Sequence, residues 1–202
     1  MNATLKAMGS SAALALTLLA GATWADDAKV SLSPEELMKA MAEAGKPGPE
    51  HAKLDPLVGT WTYTCKFWMD PSKPPMESTG TIERKWVLGN RFLEEKYVGT
   101  TFDGKPGFEG RGLLGYDNAQ KKYTTSWACN MGTGTGTGLG ESDTSGTKLT
   151  FHTESFCPMR KQIVKGRDEI RIESDDKIVM ESYQTEDGKE MKMMEIVATR
   201  KE

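Results

Sequence analysis

Histidine and cysteine are scarce in this chain, two and three among 202 residues, and neither falls into a reactive pattern. His51 and His152 belong to no Ser-His-Asp or HxxxH arrangement, so the sequence offers no triad and no histidine metal site. Cys65, Cys129 and Cys157 include no CxxC pair, and their spacing matches no metal knuckle. Three thiols allow one disulfide or none, with at least one left over. Long runs of one charge are missing too: 26 basic residues stand against 29 acidic ones, for a net charge of −3, and the two signs are interspersed. Nucleic acid therefore drops out as a partner. No motif calls for a cofactor, and no constellation of residues reads as catalytic.

The one extended apolar run, AALALTLLAGA at 12–22, is too short for a membrane span and lacks a stop-transfer flank. It follows a lone Lys6 and leads to Ala25, with small Thr23 two positions earlier, so residues 1–25 read as a secretory signal peptide. Cleavage there leaves 177 residues beginning at Asp26, enough for one domain with a real core. The bacterial periplasm is the expected address, with secretion to the medium second. Ala22 stands where a lipoprotein would carry cysteine, so no membrane anchor is expected.

Residues 26–50 read as a helix and linker, and 51–202 as the main domain. In SPEELMKAMAEAG (33–45), Ser33 is a helix N-cap, Pro34 its first residue, Glu35 and Glu36 complement the positive end of the dipole, and Gly45 ends it. Leu37, Met38 and Met41 form an apolar stripe that calls for a surface to lie on. KPGPEH then reads as a linker.

From Leu57 onward the hydrophobic period is two. Ten strands are predicted near 59–69, 79–88, 91–99, 108–116, 122–131, 135–142, 148–154, 161–173, 177–185 and 190–200. A meander of that length that must hide its edges closes into an antiparallel up-and-down β-barrel. The Gly89-Asn90 pair reads as a two-residue turn joining Leu88 to Arg91. The register that follows places Trp86 opposite Leu93, Arg84 opposite Glu95 and Ile82 opposite Tyr97 on one face. The other face holds two opposite-charge pairs, Lys85 with Glu94 and Glu83 with Lys96, and is the solvated one. Arg84 and Glu95 then point inward among aromatics, either as a structural latch or as a polar anchor for a ligand. The same parity sends Trp61, Tyr63, Cys65, Phe67 and Met69 inward, and likewise Tyr123, Thr125, Trp127, Cys129 and Met131. His152 falls on the outer face.

CNMGTGTGTGLGESD (129–143) looks like a phosphate loop, but no helix follows it, no Lys-Ser ends it, and Glu141 and Asp143 would repel phosphate. It is a period-two strand whose glycines, Gly132 to Gly140, share one face. That bare face either lets a bulky neighbour such as Trp127 lie across it or, around Gly136, leaves cavity volume. Met191, Met193 and Met194 read as adaptable packing, though clustered thioethers also suit Cu(I). Glu95, Glu181 and Glu195 lie on strands, and paired-carboxylate acid–base chemistry stays open, because one sequence fixes no distances between them.

LDPLVGTWTYTCKFWMDPSKPPMESTGT, LGNRFLEEKYVG, FEGRGLLGYDN, MGTGTGTG and DGKEMKMMEIVATRK, taken in order, resemble the bacterial family known as domain of unknown function 1579. The resemblance covers roughly residues 50–201 and implies a lipocalin-like (calycin) barrel with no established activity. Gly59-Thr60-Trp61 is similar to the lipocalin Gly-x-Trp start, and Arg200 resembles the arginine packed over that Trp, a structural role for Gly59, Trp61 and Arg200. The reading that results is an exported barrel binding a small apolar or amphipathic molecule. Tyr63, Trp86, Tyr97 and Trp127 are its expected walls, Arg84 and Glu95 its anchor, and Gly136 its cavity lining. The alternative is a solidly packed envelope interaction barrel without a ligand, whose protein partner the sequence does not name.

Overall fold

The computed structural model describes residues 32–157, 160–186 and 188–202. The signal-peptide reading and the expected Asp26 terminus lie outside the described residues. Helix α1 (Pro34–Ala44) begins with a capping box: the Ser33 hydroxyl accepts from the Glu36 amide at 3.3 Å, and the Glu36 carboxylate accepts from the Ser33 amide at 2.8 Å. None of its residues is buried.

Residues Ala40–Glu202 form one compact unit. Ten strands run through it: β1 (Gly59–Phe67), β2 (Met76–Val87), β3 (Phe92–Thr100), β4 (Pro106–Asp117), β5 (Lys122–Cys129), β6 (Gly136–Ser142), β7 (Lys148–Cys157), β8 (Gln162–Ser174), β9 (Lys177–Glu186) and β10 (Lys189–Arg200). Each pairs antiparallel with its sequence neighbours, and β10 pairs with β1 to close the barrel. The ten-strand meander is as predicted, and closure leaves no sheet edge for another chain to extend.

The register of β2 on β3 is also as read from the sequence, with Ile82, Arg84 and Trp86 opposite Tyr97, Glu95 and Leu93. The turn is longer than two residues, however. Pairing stops at Val87 and Phe92, and Leu88, Gly89 and Asn90 all take positive φ, a left-handed turn closed by the Arg91 amide donating to the Val87 carbonyl at 3.3 Å. A two-residue and a four-residue loop nest in the same register, so the faces come out unchanged. Met69 and Met131, expected on the core face, lie beyond the ends of β1 and β5 and are exposed.

The segment read as a linker is structured. Helix α2 (Pro49–Ala52) and a 3-10 turn (Asp55–Leu57) cover one end of the barrel, where Leu54 and Leu57 are fully buried. His51 is buried beside Tyr116 and accepts the Gly48 amide through Nδ1 at 3.1 Å. The Tyr123 hydroxyl donates to the Glu50 carboxylate at 2.8 Å, and the Trp61 indole N–H to the Leu57 carbonyl at 3.0 Å. Above this plug, Trp61, Ile82, Leu93, Leu114, Tyr123, Leu149, Phe151 and Ile178 belong to the buried hydrophobic core.

Several inner aromatics lie across a glycine on the next strand. Tyr63 pairs with Gly80 on β2, and a Cβ at Gly80 would sit 2.8 Å from its ring. Phe151 covers Gly140, its partner on β6, and Trp127 covers Gly112, its partner on β4. Glycine here provides close approach: the ring fills the place that a side chain would take.

Candidate functional site

Strand parity brings Arg84 of β2 and Glu95 and Tyr97 of β3 onto the inner wall. Arg84 is 1% exposed and Glu95 6%. The Arg84 Nε donates to Glu95 Oε1 at 2.6 Å, and its Nη2 donates to the Tyr97 hydroxyl at 3.0 Å and meets Met180 Sδ at 3.2 Å. Burial works against the Arg84 charge, but Tyr97 and Glu95 outweigh it and hold the guanidinium protonated. The Tyr97 hydroxyl lies 3.4 Å from the same sulfur, and burial pushes its pKa up, so it stays a neutral phenol.

Tyr63 completes the group, its ring 5.8 Å from that of Tyr97. Burial raises its hydroxyl to about 12. Two donors remain open among the described residues: the buried Arg84 Nη1 and the buried Tyr63 hydroxyl have no hydrogen-bond partner. Trp127 stands edge-on to Tyr97, with ring centroids 4.9 Å apart at 87°, and closes the cluster on the β4 side.

The other two candidate positions stand apart. Trp86 is tied by its indole N–H to Asp55 Oδ1 at 2.8 Å, which makes it a clasp for the closing segment. Gly136 opens β6, where an added Cβ would meet nothing nearer than Ser155 at 3.7 Å. The bare face of the GTGTGTG run is thus divided. Gly138 and Gly140 are crowded by Thr153 and Phe151, Gly136 is free, and Gly132 and Gly134 lie outside the strand. Trp127 turns away from this face and lies instead over Gly110 and Gly112.

An open cleft of about 1250 Å3 runs along β5–β9, taking in inward Thr125, Gly138 and Thr153 and outward Leu139 and Arg167. A smaller one of about 370 Å3 includes Trp127 and Gly112. Neither contains Arg84, Glu95, Tyr63 or Tyr97.

Sequence reasoning missed one inward acid, and it named Glu181 and Glu195 without the ion-pair network that joins them. Asp168 shares the parity of Ile170 and faces inward beside Ser182; burial raises its pKa and favours the neutral acid. The signal was the alternation in RDEIRI, which puts this acid in phase with the core isoleucines. On the outer wall, Glu181 and Glu195 pair across β9 and β10 within a network of Arg171 and Lys192. His152 lies outside and exposed, as read. No group of three metal-ligating side chains occurs among the described residues. All three cysteines are free thiols, and burial pushes Cys65 up to about 11, an unreactive state. Arg200 lies over Trp61, and a Cβ on Gly59, whose φ is +130°, would strike the Arg200 guanidinium.

The fold and the inward polar cluster define a closed ten-strand barrel of lipocalin-like type. The chain belongs to the family described as Protein of unknown function (DUF1579), matched over residues 46–200. Among solved structures it is similar to Rv2717c from M. tuberculosis, with a TM-score of 0.57 and 19% identity, over 78% of this chain and 100% of that one. It is also similar to a de novo designed fluorescence-activating β-barrel, with a TM-score of 0.40 and 17% identity, over 71% of this chain and 93% of that one. Comparison with curated proteins yields no match.

Proposed function

We propose that this protein is an exported binding module that takes a small apolar or amphipathic molecule inside its barrel. The observation that carries the reading is the Arg84 Nη1 donor, buried and without an acceptor. An unpaired buried donor costs about 1–3 kcal/mol, and an acceptor oxygen on a ligand removes that cost. The Tyr63 hydroxyl offers a second donor, and Tyr63, Tyr97 and Trp127 supply aromatic surface for an apolar body. The free space at Gly136 supports an approach from the end opposite the α2 plug. Export rests on the 12–22 apolar run and the Ala25 site.

The packed-barrel alternative is favoured by one observation: neither cleft is lined by Arg84, Glu95, Tyr63 or Tyr97. Native mass spectrometry separates the two. Protein purified gently from periplasm is compared with the same sample after denaturation and organic extraction. A mature chain beginning at Asp26, with an additional mass lost on extraction, is the expected result. A bare mass, together with no uptake of an apolar fluorescent probe, overturns the binding reading, and a chain retaining residues 1–25 overturns export.

A further inference from the structure

The charge balance around Arg84 bears on the chemical class of the ligand, an argument that rests on the binding reading above. Arg84 already has its counter-ion: Glu95 Oε1 lies 2.6 Å from Nε, in a pair whose side chains are 0% and 7% exposed. Among the described residues no other cation stands in the middle of the inner wall. Arg200 belongs to the closed end, over Trp61, while Arg167, Arg171 and Lys192 lie on the outer face in ion pairs of their own. An anion at Nη1 would therefore bring a second negative charge beside Glu95 in a low-dielectric interior, with no unmatched positive charge to meet it. The open groups are donors, and both are already electrically satisfied. Nη1 belongs to a neutralised guanidinium, and the Tyr63 hydroxyl is an uncharged phenol.

We infer that the ligand is an uncharged amphiphile whose carbonyl, ester or amide oxygen accepts from Arg84 Nη1, not a carboxylate or phosphate. Arg84 then recognises the dipole of that oxygen, with its charge spent on Glu95.

The test uses the mature protein and a neutral solvatochromic probe, a dialkylaminonaphthyl alkyl ketone, displaced at about pH 8 by methyl oleate or by oleate, which is ionised there. The ketone is expected to bind with a blue-shifted emission, and the ester to displace it at a concentration at least about tenfold lower than the acid. In Glu95→Gln the freed guanidinium should move the preference toward oleate. If oleate competes as well as its ester in the wild type, the inference is overturned while the binding reading stands. If ketone, ester and acid all fail to bind, the binding reading falls and the inference falls with it. The wild-type comparison is decisive even if the Glu95 variant does not fold.

Discussion

Arg200 lies over Trp61, with its guanidinium carbon 4.1 Å from the indole centroid, and the two residues face each other across the β10–β1 seam. From that position Arg200 donates to the Val58, Pro56 and Asp175 carbonyls at 2.8, 3.0 and 2.7 Å. The seam that closes the barrel is thus bound to the plug beneath it by one planar side chain. Replacing Arg200 with Ala is expected to cost about 2–4 kcal/mol, from lost charged hydrogen bonds and the cation–π contact. Lys should recover only a small part, because a point charge cannot address three carbonyls at once. Urea denaturation followed by Trp fluorescence measures both, and an Arg200→Lys variant as stable as wild type would contradict the role.

The glycine faces yield a paired prediction. A methyl at Gly112 would lie 3.3 Å from the Trp127 ring and 2.9 Å from Glu95 Oε2, whereas at Gly136 it makes only ordinary contacts, with Ser155 Cβ at 3.7 Å and the Glu154 carbonyl at 3.8 Å. Gly112→Ala is expected to destabilise by about 1–3 kcal/mol through overpacking, and Gly136→Ala to change stability by less than about 0.5 kcal/mol. Thermal unfolding of the two variants side by side checks the contrast. Gly136→Val should also cut probe uptake by filling the space beside Ser155.

Acid stability depends on the outer wall. Burial alone would raise Glu181, but hydrogen bonds from Arg171 and Lys192 hold it at about 2. A carboxyl depressed in the folded state stabilises the protein above its unfolded pKa, and that contribution fades as pH falls from about 4.5 to about 2. Glu181→Gln should therefore lose roughly 2 kcal/mol at neutral pH and little below pH about 2, narrowing the gap to wild type on acidification. Denaturant midpoints taken across that range would expose a constant gap as a failure of this account.

The plug has its own pH dependence. Burial first, then the charge of Arg91, lowers the His51 pKa below its usual 6.5. The folded state thus prefers neutral imidazole, and its stabilisation is lost as pH falls through 6.5 and below. Protonation would also convert the Nδ1 acceptor of the Gly48 amide into a donor. Amide exchange over residues 46–58 is expected to accelerate between about pH 7 and about pH 5 beyond the intrinsic chemical change, and His51→Gln should flatten that response. Equal protection at both pH values would show that His51 does not hold the plug.

Strand number, strand parity and the Arg84–Glu95 pairing were legible because they depend on a period of two and on a register that nested loop lengths leave unchanged. Closure of the plug was not legible. KPGPEH is dense in Pro and Gly, the signature of a linker, and together with the AKLDPL that follows it becomes α2 and a 3-10 turn only because Leu54 and Leu57 find the barrel's end to bury themselves in.

Trp127 marks the same boundary within the candidate site. Its register partners are Gly112 on one side and Gly136 on the other, both bare, so local pattern offers the indole two equal resting places. Packing against Tyr97 and over Gly110 chose the β4 side and left Gly136 open. The sequence by itself determined which side chains face inward, because alternation is a local property of an extended backbone. Only the closed barrel decided which of them touch, and hence that Arg84 keeps a free donor, because strands distant in the chain come into contact there and fill one volume together.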